Sequence, residues 1–145
     1  MSVLTDYYKI VEEVIKNLGI DPVECRGMDE DDIVEDGQWN LSKGNASIWI
    51  DVFYDETNKE NYFQVFCPLI EVPNGKMGEV ATDALEIGHI LFGISFTRVE
   101  NWLYLKHIRE LTDLSKNEIS NIIDRIGAYG EEYEEYFREK YIGGR

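Results

Sequence analysis

The sequence predicts an α+β fold: one antiparallel sheet of about five strands in the order α-β-β-β-α-β-β-α, with the helices packed on it. Two observations carry that prediction. Apolar residues recur every three or four positions at both ends of the chain and once in its middle, the spacing that places them on one face of a helix. Between these stretches, apolar and polar residues alternate, which is the signature of strands with one face buried. A length of 145 residues suits one domain with a real core and rarely two, so 1–145 reads as a single domain.

Residues 3–18 are expected to form the first helix, with Leu4, Tyr7, Val11, Val14 and Leu18 as its stripe. Ser2 is a candidate N-cap, Gly19 a stop, and Pro22 follows. Residues 24–37 hold seven carboxylates against the single Arg26 and read as a strand or loop with an acidic, mobile turn. A calcium loop is the sharper alternative for this stretch. With Gly37 in the glycine slot, however, Val34 falls where an oxygen ligand is required. A short strand over 38–42 leads to a Gly44-Asn45 turn.

The strand over 46–54 points Ile48, Ile50 and Val52 one way and Trp49, Asp51 and Phe53 the other. The strand over 62–70 sets Phe63, Val65, Cys67 and Leu69 against Tyr62, Gln64 and Phe66. Pro73-Asn74-Gly75 breaks the pattern. A second helix over 76–91 carries Val80, Ala84, Ile87 and Leu91, and Gly93 is expected to end it. A hairpin over 94–99 and 102–109 turns at Glu100-Asn101. The last helix begins near Lys116 behind a Ser115-Lys116-Asn117-Glu118 capping box. Ile119, Ile122, Ile126, Tyr129, Tyr133 and Phe137 form its stripe, and Gly127 and Gly130 are expected to weaken or kink its middle. Gly143-Gly144-Arg145 reads as a frayed tail.

Charge narrows the function classes. Asp and Glu number 29 against 14 Lys and Arg, a formal charge of -15. Such a surface repels phosphate backbones and anionic lipid, so nucleic acid and membranes are poor partners, and proteins with basic or neutral surfaces are better ones. No stretch approaches the ~18 apolar residues of a membrane span. Acidic residues interrupt the first segment, against a signal peptide. Two cysteines, Cys25 and Cys67, are too few for a secreted disulfide scaffold, so a cytoplasmic location with reduced thiols is expected. Asn45-Ala46-Ser47 then matches a glycosylation acceptor only by accident.

Chemistry-bearing patterns are sparse. Cys67 lies on a core-facing position, and no local signature ties it to His89 or His107. Paired cysteine spacing, a His-Glu-x-x-His motif and a glycine-rich phosphate loop after a strand are all missing from the sequence. No catalytic residue, metal or cofactor is therefore expected, and an enzyme using Cys67 with a histidine ranks last.

The two sheet faces differ in character. Ile48, Ile50, Val52, Phe63, Val65, Leu69, Ile94, Phe96, Leu103 and Leu105 form an aliphatic face for the helices to cover. Trp49, Phe53, Tyr62, Phe66, Trp102 and Tyr104 share the other face with Asp51, Gln64, Ser95, Thr97 and Lys106. Large aromatics among polar groups suit a protein contact surface, since they bury much area at small rotamer cost. The competing reading is a second face covered by helix or loop. Ala81, Ala84 and Gly88 give the middle helix a small-residue stripe, either a homodimer seam or close packing on its own sheet.

In its order of elements the chain resembles the type III secretion chaperone-like fold, which includes the CesT (Tir chaperone) proteins and YbjN-type domains. The opening stripe Leu4 to Leu18 carries the likeness, with the paired strands over 46–54 and 62–72. The helix running straight into Ile94-Ser95-Phe96-Thr97, and the 102–109 strand before the capped last helix, complete it. The resemblance implies a non-enzymatic, dimeric chaperone that holds an extended apolar segment of a client or effector protein. The alternative it leaves open is a YbjN-like regulatory or adaptor domain with no secretion client.

Overall fold

The computed structural model describes residues 3–28 and 34–143. Ser2, most of the acidic turn and the last two residues therefore lie outside the described part. The elements run α1 (Val3–Asn17), α2 (Pro22–Cys25), β1 (Arg26–Met28), β2 (Val34–Lys43), β3 (Ala46–Asp55), β4 (Glu60–Glu71), α3 (Met77–Gly88), β5 (Ser95–Val99), β6 (Trp102–Glu110) and α4 (Lys116–Tyr141). All six strands form one sheet in the order β1-β2-β3-β4-β6-β5, and every neighbouring pair is antiparallel. This is the expected α+β architecture with one strand more than the five anticipated.

The added strand comes from the acidic stretch. Asp21 caps the single turn of α2 by accepting from the Val23 N–H (3.0 Å), and Pro22 supplies the helix-ready φ. The chain then enters β1, which pairs with β2 through Arg26 opposite Trp39. β2 accordingly starts at Val34, upstream of the position expected from its apolar residues.

The helices cover one face. α4 lies along β3 and β4, α1 packs on α4 and β3, and α3 meets β5. Ile48, Ile50, Val52, Phe63, Val65, Leu69, Ile94, Leu103 and Leu105 are all buried beneath them. Each such side chain contributes roughly 1.5–3 kcal/mol over leaving it exposed. Phe96 is half-buried and meets Tyr133 and Phe137 of α4 edge-on. At the β1 end, the Glu12 carboxylate of α1 accepts from Trp39 Nε1 (2.9 Å) and Arg26 Nε (2.8 Å), which joins the helix to two strands.

The structure bears on three expectations about helices. α4 runs unbroken through Gly127 and Gly130. Both glycines are buried, and a Cβ on Gly130 would sit 2.6 Å from Cys67 Sγ and 3.1 Å from Ala46 Cβ. The missing side chains let α4 approach the sheet closely. The capping box is half formed: Ser115 Oγ accepts from the Glu118 N–H (3.1 Å), while the Glu118 carboxylate pairs with Arg109 of β6. α3 ends at Gly88, five residues before Gly93, whose φ of 68° turns the chain into β5.

Candidate functional site

Strand alternation delivers the six aromatic residues to the sheet face opposite the helices. Cross-strand registry arranges them in rows. Asn40, Trp49, Phe66, Lys106 and Ser95 stand side by side across β2, β3, β4, β6 and β5. The next row holds Gln38, Asp51, Gln64 and Ile108, and the one after it Phe53, Tyr62 and Glu110. On the other side, Pro68 pairs with Tyr104 beside an irregularity in β4. Proline has no N–H to give the ladder, so such a break is where a sheet accommodates it.

The aromatics form two groups. Tyr104 is the hub of the larger one, with ring centroids 6.0 Å from Trp49, 6.2 Å from Phe66 and 6.4 Å from Trp102. Phe53 and Tyr62 form the smaller group at 5.8 Å. Tilted and edge-on contacts of this kind keep the rings in defined positions without a cover. Lys106 Nζ lies 5.3 Å from the centre of the Phe66 ring, a cation–π contact.

Among the described residues, no helix lies over this face. Trp49 and Trp102 stay 38% and 37% exposed, Ile108 is 45% exposed, and the other four aromatics are half-buried. All six residues expected on the face are thus brought together there. A shallow cavity of about 420 Å³ borders Trp49 toward Ile20 and Cys25.

Asp51 holds a distinct position between the two aromatic groups. Its Oδ2 accepts from Gln64 Nε2 (2.9 Å), and burial pushes its carboxyl above the usual carboxylate range against the opposing pull of that hydrogen bond. Alternation in the sequence placed Asp51 on this face but gave no sign of its partial burial, which depends on Gly37 and Gln38 of β2.

The small-residue stripe of α3 lies differently. Ala84 is buried in the core, and a Cβ on Gly88 would sit 3.5 Å from the Phe96 ring, while Ala81 is half-buried. The exposed apolar groups nearby are Leu85 (76%), Ile90 (66%), Phe92 (73%) and, on β5, Val99. α3 is tied to α4 by Asp83, whose carboxylate accepts from Tyr136, Tyr141 and Lys140 at 2.8–3.0 Å.

The reactive side chains lie apart from the open face. Cys67 is buried under Gly130, and burial pushes its thiol up to about 12. His107 Nδ1 engages the Gly93 carbonyl (2.7 Å), and His89 is exposed at the end of α3. No hydrogen bond among the described residues joins the thiol to a histidine. No helix of the described residues is long and apolar enough to cross a membrane.

No protein-family model matches the chain, and no curated protein matches it in sequence. Its backbone is similar to solved structures over most of its length. The ExsC–ExsE complex aligns over 96% of both chains at 11% identity with a TM-score of 0.58. The HopA1–SchA chaperone–effector complex covers 89% of this chain and 93% of its own at 11% identity and 0.60. A Yersinia pestis type III secretion chaperone, SycH, solved with a fragment of YscM2, covers 87% and 98% at 13% identity and 0.55. The chain has the type III secretion chaperone-like fold.

Proposed function

We propose that this chain is a cytoplasmic protein-binding module that acts by holding an extended apolar segment of a client protein, without bond chemistry. One observation carries the reading: a sheet face bearing Trp49, Phe53, Tyr62, Phe66, Trp102 and Tyr104 stands uncovered by any described helix. Exposed aromatics in contact with one another form a large, preorganised apolar surface, and burying it releases water at low entropic cost. The neighbouring folds, each solved in complex with another protein and one of them a chaperone–effector complex, support the same reading. An extended client presents alternate side chains to such a face and adds main-chain hydrogen bonds where it meets a sheet edge.

The same reading includes a homodimer built on α3. Ala81 lies beside the exposed Leu85 there, and Ile90 and Phe92 follow.

The test combines Trp49→Ala with Phe66→Ala. The double variant should keep the wild-type circular dichroism spectrum and cooperative melt, because neither ring is part of the covered core. It should lose the partners that wild-type protein captures from its native host, as read by mass spectrometry. Capture of the same partners by a folded double variant would sink the reading and favour the regulatory-adaptor alternative.

A further inference from the structure

We infer that Asp51 is the receptor for an arginine or lysine side chain, so that the open face selects extended polypeptide in which a basic residue is flanked by apolar ones. This rests on the face being a client surface and specifies which client chemistry it takes.

The geometry is that of a built subsite. Asp51 opens into a cavity of about 230 Å³ lined by Gly37, Gln38, Asp51, Val52, Phe53 and Gln64. The cavity is large enough for the head of a basic side chain. Gln64 occupies one carboxylate oxygen, which fixes the group's orientation. Among the described residues, no lysine or arginine pairs with Asp51. The one lysine in the neighbouring row, Lys106, sits over Phe66 instead. A partly desolvated carboxylate without a cation is unfavourable, and burial duly raises its proton affinity. An incoming guanidinium or ammonium group would offset that cost.

The walls favour the same ligand. Phe53, two residues beyond Asp51 on the same side of β3, lines the cavity, and Trp49 stands two residues before Asp51 on that side. Aromatic faces attract cations, arginine above all. The molecule's charge of -15 steers basic segments toward it from a distance.

The probe is a fluorescein-labelled peptide, Leu-Ser-Leu-Ser-Arg-Ser-Leu-Ser-Leu, whose alternate residues put the arginine and leucines on one side when extended. Its partner carries citrulline in place of arginine, which keeps shape and removes charge. Binding is read by fluorescence anisotropy at about 0.15 M salt, where the Debye length of roughly 8 Å suppresses the contribution of distant charges. Wild-type protein should bind the arginine peptide about tenfold more tightly than the citrulline peptide, as expected of a charge-assisted hydrogen bond. Asp51→Asn should bring the two affinities together. Glu135→Gln makes the same change in net charge from an exposed position on α4 and should leave the tenfold ratio intact.

Equal binding of the two peptides by wild-type protein overturns the inference and leaves the apolar-face reading standing. Equal loss of the ratio in Glu135→Gln also overturns it, since general charge would then be the cause. Failure of both peptides to bind wild-type protein overturns the inference together with the reading beneath it. The wild-type comparison needs no variant, so it decides the matter even if Asp51→Asn folds poorly.

Discussion

Substituting Gly130 by alanine tests how tightly α4 is seated on the sheet. In an isolated helix the change would stabilise by about 1 kcal/mol. Here the new methyl would stand 2.6 Å from Cys67 Sγ and 3.1 Å from Ala46 Cβ, and both neighbours are buried. A carbon–sulfur overlap of that depth belongs at the severe end of core overpacking, about 3 kcal/mol. The net expectation is destabilisation by about 2 kcal/mol. Removing the sulfur should reverse the sign: in a Cys67→Ala background, Gly130→Ala should be neutral or stabilising by up to about 1 kcal/mol. The coupling between the two sites is then about 2–3 kcal/mol, well outside the ~0.5 kcal/mol within which independent sites add. Urea denaturation of the four proteins measures it, through midpoints at constant slope. A coupling under about 0.5 kcal/mol, or a Gly130→Ala protein more stable than wild type, would refute the claim that these glycines exist for close approach.

Three further outcomes follow from the same contacts. Native Cys67 should resist a thiol reagent at about pH 8 and react only as the chain unfolds, because its thiol titrates near 12; prompt labelling in the native state would contradict its burial. Asp83→Asn should cost about 1–3 kcal/mol at pH 7 by withdrawing the charged acceptor from Tyr136, Tyr141 and Lys140. Burial pushes the Asp83 carboxyl up, but the three donors and the Lys140 charge bring it below its ordinary value. Its stabilisation is therefore complete above about pH 3.9 and lost as pH falls through the lower folded value, so urea titrations should show the gap between wild type and variant closing in acid. If α3 forms the dimer seam, Leu85→Glu with Phe92→Glu should shift the light-scattering mass from dimer to monomer while the melt stays cooperative; an unchanged mass would place self-association elsewhere.

The elements legible in the sequence were those with a long period on one buried face. β3 and β4 declare themselves because Ile48, Ile50 and Val52, then Phe63 and Val65, alternate with polar or aromatic partners over many residues. α2 and β1 span four and three residues, too few for any period to emerge. The start of β2 reads as Val-Glu-Asp-Gly, whose composition suggests a loop; pairing with its neighbours overrides that local preference. The glycines of α4 look like helix weakness because propensity knows nothing of the sulfur and methyl that face them. The aromatic side of the sheet followed from alternation alone. Its exposure did not, since the sequence does not say whether a helix or loop also covers the second face. The surroundings of Asp51 were equally hidden, because its enclosure depends on Gln38, thirteen positions earlier and one strand away.

The row running from Asn40 through Trp49, Phe66 and Lys106 to Ser95 sets a yardstick for recognition. Five adjacent strands leave four gaps of about 4.8 Å, so the row measures roughly 19 Å from end to end. A polypeptide stretched across it advances about 3.3 Å per residue and traverses the platform in about six residues, of which alternate ones point inward. Three inward side chains are too small a vocabulary to define a unique sequence, so a face of this size can select a class of segment but not a single polypeptide.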